Sequence, residues 1–351
     1  MNAFSHRFIP SLLTLLLLLA GCASGRGNTP PVVKLGLLAP FEELYRSDGY
    51  AALPAVQLAI SQRNAAGGVA GRQVALIALN DNGRPQEAQR QAANLVVDQD
   101  LLAVIGPLHG ATAAAAGPVL AEAGLPWIAL ASLAPEQQPA GFALEAPPAE
   151  AAALAEEILR AEGVAEPVIL GRGAGLAGAA GNGGEAAAAG APAAWDAARG
   201  VIWLGDAAGG AALAGQLGPA RTLIGGPELG SDVFAGRAAA AAAGVRWLSA
   251  GPAASALPAQ FVAAYQELAG APPSPQAVLA YDATNLLLDA IALAGQAGTP
   301  VNRTTVLQAV AQLGDAGWQG LSGAVYWQPA ACPASQPCWP RLDSPLVVHQ
   351  W

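Results

Sequence analysis

An α/β architecture, with mostly parallel sheets covered by helices, is what this sequence predicts, and three observations carry it. Short apolar runs containing β-branched residues alternate with longer segments of helical period along most of the chain, the pattern of strands joined by crossover helices. Gly and Pro punctuate that alternation where helices should stop and start, as at Gly67-Gly68 and Pro85. Residues 22–351 are also more than one core usually serves, so two packed units are expected.

Val32 to Leu38 reads as a strand, Phe41 to Asp48 as a loop, and Tyr50 to Ala65 as a helix closed by Gly67-Gly68. Gln73 to Leu79 is the second strand; Asp81-Asn82-Gly83-Arg84 is a turn, and Pro85 opens a helix to about Val97. Leu102 to Ile105 is a short buried strand, followed by a loop to Gly110, a helix from Ala111 to Ala123 and a strand at Leu125 to Ala129. A second set starts near Pro147 with a helix to about Ala161, then strands at 167–170, 201–204, 222–224 and 245–248. Helices at 257–269, 276–294 and 304–313 precede late strands at 323–327 and 346–350. Residues 173–194 are almost entirely Gly and Ala, and no period separates helix from loop there.

The N-terminus reads as an export signal. His6 and Arg7 precede the apolar run Leu12 to Ala20, which is shorter than the roughly 20 residues a membrane span needs. Leu19-Ala20-Gly21-Cys22 resembles the lipobox of bacterial lipoproteins, which implies acylation at Cys22, a signal peptide over residues 1–21 and a Gly/Ser/Pro tether over 22–31. No second long apolar run is apparent, so the body is expected to be soluble. Residues 1–21 contain one Arg and no acid, which leaves 15 basic and 25 acidic residues and a net charge of −10. A surface of that sign repels phosphate backbones, so nucleic acid is excluded as a partner class. Cys332 and Cys338 are the remaining thiols, and in an oxidising compartment they are expected to form a small-loop disulfide. His109 and His349 are the only His beyond the leader, too few ligands to suggest a metal site.

Three segments resemble the solute-binding proteins of branched-chain amino acid ABC importers. They are Gln57-Leu58-Ala59-Ile60 leading into Asn64-Ala65-Ala66-Gly67-Gly68-Val69-Ala70-Gly71-Arg72, Ala103-Val104-Ile105-Gly106-Pro107 with Gly110-Ala111-Thr112, and Gly225-Gly226-Pro227-Glu228. The resemblance is good over 32–135, fair over 201–351 and poor over 165–200. It implies the type I periplasmic-binding fold: two Rossmann-like lobes with parallel sheets joined by a three-strand hinge, with the ligand in the cleft. Carried onto this chain, lobe one is residues 32–145 and 251–322, and lobe two is residues 146–250 and 323–351. The implied activity is binding of a small polar solute, an amino acid or a related compound, by a monomer that delivers it to an ABC permease from the outer face of the membrane. A lipoprotein sensor, or an activator of an envelope enzyme, would use the same fold to bind a protein partner. Neither reading involves catalysis or a cofactor.

Candidate site residues lie in loops beyond the carboxyl ends of the strands, where open α/β sheets bind ligands. After the first strand come Tyr45 and Arg46; the Arg46 guanidinium is suited to a carboxylate, or it is a solvated loop cation. His109, Gly110 and Thr112 precede a helix whose N–H groups suit an anion, with Thr112 either a helix cap or a ligand contact and His109 either structural or a titrating contact. The resemblance places Ala131 and Ser132 where the family presents main-chain and hydroxyl contacts, and Glu228 where it pairs with a ligand ammonium. Asp206 is a second acid in lobe two, and Tyr281-Asp282 resembles the family's Tyr-Asp-Ala, with Asp282 read as a first-turn helix acid. The chain departs from the family at Leu133, Leu176 and Ala207, where a hydroxyl and two rings are lost, so the pocket is altered.

Gly173-Ala174-Gly175-Leu176-Ala177-Gly178 matches the dinucleotide fingerprint by letter. In so Gly-rich a tract, with no acid ending a second strand, it carries no cofactor assignment. No Gly-x-Ser-x-Gly elbow or Cys–His pair supports catalysis.

Overall fold

The computed structural model describes residues 31–133, 141–171, 199–218, 220–296, 300–327, 330–331, 337–338, 341–342 and 345–351. The chain divides into two units, Met1–Pro31 and Val32–Trp351, and every described helix and strand belongs to the second. Cys22, Leu176 and Cys332 lie outside the described residues, as does the Gly/Ala tract.

Strands β1 (Val32–Ala39), β2 (Gln73–Asn80), β3 (Leu101–Ile105), β4 (Trp127–Ala129) and β5 (Phe142–Ala143) form one parallel sheet in the order β2-β1-β3-β4-β5. Helices α1 (Arg46–Ala65), α2 (Pro85–Val96) and α3 (Gly110–Glu122) make the crossovers. Every residue of β3 is buried, as expected of a parallel strand covered on both faces. Successive side chains point to opposite faces, so Leu37 and Ile105 enter one core while Leu38 and Val104 enter the other.

Helix α4 (Pro148–Ala161) opens a second sheet of β6 (Val168–Leu170), β7 (Gly200–Trp203), β8 (Thr222–Gly225) and β9 (Arg246–Ser249), all parallel, in the order β9-β8-β7-β6. Alternation again divides the apolar side chains. Val201 and Trp203 pack beneath α5 (Ala207–Leu217) and α6 (Asp232–Ala238), and Ile202, Ile224 and Leu248 pack against α4. The sequence pattern concealed α5 and α6, because the Ala and Gly of α5 carry little apolar period and α6, seven residues long, is too short to show one.

The chain then returns to the first sheet through α7 (Ala259–Ala269), α8 (Pro275–Gln296) and α9 (Arg303–Ala316), which pack against α1 and the strands. Helix α8 is long and apolar enough to cross a membrane, contrary to the expectation of no second such run, but 72% of its most apolar stretch is buried inside this unit. Asp282 lies within α8 rather than in its first turn; its carboxylate accepts the Leu321 and Ser322 N–H groups at 2.9 and 2.7 Å. Strands β10 (Trp318–Gly320) and β11 (Gly323–Trp327) follow, then the short β12 (Ala330–Ala331), β13 (Pro337–Cys338) and β14 (Arg341–Leu342). Strand β15 (Val347–Gln350) closes the second sheet, antiparallel to β9. The expected boundary after residue 322 is displaced, because Val325 and Trp327 of β11 are buried in the first core, where the Trp327 ring meets Phe142 at 4.8 Å.

A second correction concerns the start of α1. Asp48-Gly49 has the composition of a turn, yet the helix begins at Arg46, four residues before the expected Tyr50. Gly49 lies so close to the Pro40 carbonyl that a Cβ would stand 1.8 Å from its oxygen, so the helix start is folded against the end of β1.

The chain passes between the sheets at residues 144–147, again at 250–253, and a third time before β15. Two buried charges tie these crossings together. Glu145 accepts the Ser249 hydroxyl at 2.5 Å and the Ala250 N–H at 2.9 Å. Arg341 donates to the carbonyls of Leu144, Ser322 and Ala324 at 2.9, 3.0 and 2.9 Å. Burial pushes the Glu145 carboxyl above its ordinary value, against the pull of the Ala250 N–H, the Ser249 hydroxyl and the Arg341 charge. Replacing Arg341 with Met should lower stability by about 2–4 kcal/mol, because three carbonyls lose their donor in a dry site. Urea denaturation checks this through a lower midpoint at unchanged slope.

Candidate functional site

Loops beyond the carboxyl ends of both sheets line one cleft of about 760 Å3. From the first sheet come Tyr45 and Asp48 after β1, His109 and Gly110 after β3, and Ala131 and Ser132 after β4. From the second come Asp206 and Ala207 after β7 and Pro227, Glu228 and Gly230 after β8. Glu145 and Ser249 reach the cleft from the hinge.

The first wall is organised by a hydrogen-bonded acid–imidazole pair. His109 Nε2 lies 2.8 Å from Asp48 Oδ2, with Asp48 in the first turn of α1, and the Tyr45 ring stacks at a tilt on the imidazole with centroids 4.4 Å apart. Burial works against charging His109, but the hydrogen bond and charge of Asp48, with the Asp81 and Glu228 charges behind it, hold its pKa above the ordinary value. Gly106 lets this loop form: its φ is +90° and a Cβ would sit 2.3 Å from the Leu38 carbonyl oxygen.

The second wall is acidic and aromatic. Glu228 sits on a single 3-10 turn, Pro227–Gly230, straight after β8. Burial pushes its carboxyl up to about 7; the charges of Glu145 and Asp206 add to that, while its own backbone N–H and His109 oppose it. Asp206 caps α5 by accepting the Gly209 N–H at 2.7 Å, and the Trp203 indole donates to the Asp206 carbonyl at 2.8 Å. The Trp351 indole donates to the Leu229 carbonyl at 2.6 Å and its ring lies 5.0 Å from that of Trp247, so β15 buttresses the Glu228 turn. Tyr45, carried on the first lobe, packs against the second core. Burial, together with Asp206, Asp48 and Glu228, raises its phenol pKa, which registers the negative field of both walls.

Of the residues expected from sequence, Tyr45, His109, Gly110, Ala131, Ser132, Asp206 and Glu228 line this cleft. Arg46 does not. It is exposed and lines a separate recess with Asp232 and Arg237, because the early start of α1 turns it away. Thr112 is fully buried and donates its hydroxyl to the His109 carbonyl at 3.0 Å, so it stabilises the helix start instead of facing the cleft. Leu133 is buried beside Gly110, where a hydroxyl would have stood free, and Ala207 lines the cleft without a ring. Sequence reasoning missed Asp48, Glu145, Trp203 and Trp247. Trp203 lay in a predicted strand next to Asp206 and could have been named; Glu145 meets partners about a hundred positions away, and no local signal marks it. Among the described residues no three His, Cys, Asp or Glu side chains gather to hold a metal ion.

A cleft between two parallel-sheet lobes, walled by loops from both and spanned by a hinge, defines a two-lobed ligand-binding protein. The family model described as periplasmic binding protein matches residues 32–212, more than half of the chain, and the chain belongs to that family. No curated protein matches at significance. Solved structures share the fold. A leucine-binding protein from Thermotoga maritima superposes with a TM-score of 0.72 at 19% identity, covering 91% of this chain and 95% of its own. A possible leucine/isoleucine/valine-binding protein from Rhodopirellula baltica gives 0.73 at 17% identity, with 93% and 96% covered. A solute-binding protein of an ABC transporter from Rhodopseudomonas palustris, in complex with 3,4-dihydroxybenzoic acid, gives 0.66 at 19% identity, with 91% and 93% covered.

The His109 pair supplies a direct test. Asp48→Asn removes the main group opposing burial, so His109 should titrate at a lower pH than in the wild type. The imidazole resonances followed by NMR against pH report the shift.

Proposed function

We propose that this chain is an extracytoplasmic solute-binding protein, tethered by an acylated Cys22, that closes its lobes on a small polar amine, such as an amino acid or a relative of one, and hands it to an ABC permease. One observation carries the reading: Glu228 from the second lobe and the His109–Gly110 loop from the first line the same cleft. A carboxylate with no side-chain partner among the described residues, at the edge of a dry site, demands a cation, and a solute ammonium supplies one. Contacts from both walls exist together only when solute bridges them, so binding favours the closed arrangement by the difference in contact energy between the two states. The leucine-binding and aromatic-acid-binding relatives support solute binding as the use of this fold. The reading is of a monomeric binder that turns nothing over, with Cys332 and Cys338 joined as a disulfide.

The roles of the cleft follow from their positions. Glu228 pairs with the ammonium, and Tyr45 offers its ring to the hydrophobic part of the solute. The first-turn N–H groups of α3 at Gly110 and Ala111 hold its polar end. Glu145 is held by Ser249 and Ala250, so it transmits the hinge position to the cleft floor rather than contacting solute alone.

Calorimetry tests the pairing. Glu228→Gln should weaken binding of an amine-bearing solute by roughly tenfold or more, since one partner of a desolvated charge pair is lost. An unchanged affinity would remove Glu228 from the site. The wild-type pH profile has a defined sign. The free Glu228 carboxyl takes up a proton near pH 7, with Glu145, Asp206, Tyr45 and His109 around it. Cation affinity should therefore fall by roughly tenfold per unit as the pH drops below that value, and level off above it. His109, whose pKa Asp48 raises against burial, opposes a cation whenever it is protonated.

A further inference from the structure

The charges and donors left over in the cleft say more about the solute than the fold does. Among the described residues five carboxylates line it, those of Asp48, Glu145, Asp206, Glu228 and Asp232, and neither Lys nor Arg does. The basic side chain there, His109, is already bound to Asp48. Three of the hydroxyls nearest the first wall and the hinge, which could have held a solute carboxylate, are committed elsewhere. Ser132 donates its proton to the Ala146 carbonyl at 2.7 Å, Thr112 is buried on the His109 carbonyl, and the next position after Ser132 is the apolar Leu133. Ser249, at the hinge, gives its proton to Glu145.

What remains for an anion is the first turn of α3, a partial charge, and the uncharged hydroxyls of Ser231 and Ser274, set against Asp206, Glu228 and Asp232 with no Lys or Arg in the lining. What remains for a cation is Glu228, with no side-chain partner among the described residues, and the half-buried ring of Tyr45; Trp203 and Trp247 border the cleft but are packed in the second core at 2% and 8% exposure. A phenol face attracts alkylammonium groups, most strongly where water is excluded. A zwitterion would lose at its carboxylate much of what it gains at its ammonium.

We propose that the solute is a net-cationic amine without a free carboxylate, held by Glu228 and the Tyr45 ring, with its neutral polar end on the N–H groups at the start of α3. This rests on the solute-binding reading above and narrows it. It also sets the chain apart from its structural relatives named for leucine and dihydroxybenzoate, whose ligands carry a carboxylate.

The test uses the full-length protein in detergent solution at pH 8, where Glu228 is ionised, and four probes measured by titration calorimetry. 3-Methylbutylamine is leucine without its carboxylate, and cadaverine is a diamine; L-leucine and 3,4-dihydroxybenzoate keep the acid. Both amines should bind at least tenfold more tightly than L-leucine, and 3,4-dihydroxybenzoate should give no heat. Equal or tighter binding of L-leucine or 3,4-dihydroxybenzoate would overturn the proposal while leaving the solute-binding reading standing. Silence from all four would overturn both. Glu228→Lys, which reverses one charge on the rim without touching the core, should abolish amine binding and admit 3,4-dihydroxybenzoate; retained preference for the amines would overturn the proposal by a second route.

Discussion

The hinge charges are the constraint on which the rest of this structure depends. Glu145 and Arg341 are both buried, and each is held almost wholly by main-chain groups and hydroxyls of the crossing segments. Neither charge is tolerable in a dry interior without those partners, so the crossings are pinned to one another rather than merely adjacent. The two lobes consequently meet at a defined angle, and the loops at the carboxyl ends of their sheets face one another. Glu145 also lines the cleft, so the group that fixes the hinge lies on the floor of the binding space.

That arrangement explains why the second wall holds its charge under strain. Glu228 stands on a short turn whose neighbours are Glu145 and Asp206, and the nearest compensating charge is His109 on the opposite lobe. A carboxyl so placed resists ionisation until a cation arrives, which makes the cleft responsive both to solute and to proton. Tyr45 connects the same two walls through packing instead of charge, since it stacks on His109 while inserting against the second core. Ligand binding, lobe approach and titration are therefore linked through a handful of side chains.

Much of the fold was legible from residue order. The apolar runs at Leu101 and Gly200 are buried throughout because both faces of a parallel sheet are covered, while the runs at Val32 and Gln73 keep enough apolar residues to read as strands despite Lys34 and a partly exposed sheet edge. Helices with strong patterning, such as α2 behind Pro85, were visible for the same reason. Helix α5 was not, since Ala and Gly satisfy a helix without writing an apolar stripe, nor was the seven-residue α6, too short to show a period, and α1 was shortened because Asp48-Gly49 imitates a turn. At the site, the resemblance carried Glu228 and the Gly110 loop. Arg46 and Thr112 were misplaced because sequence records a residue's neighbours but not the direction its side chain takes.

Sequence by itself determined the class of fold, the acidic character of the chain and the loops from which a site would be built, because hydrophobic period and turn chemistry are local properties. Only the tertiary structure decided that Asp48 would hold His109 sixty-one positions away, that the Ser132 and Thr112 hydroxyls would be consumed internally, and that Glu145 would bind the second crossing. Those outcomes depend on which groups meet across distant segments and on how much water is left between them, and neither quantity is written in the order of residues.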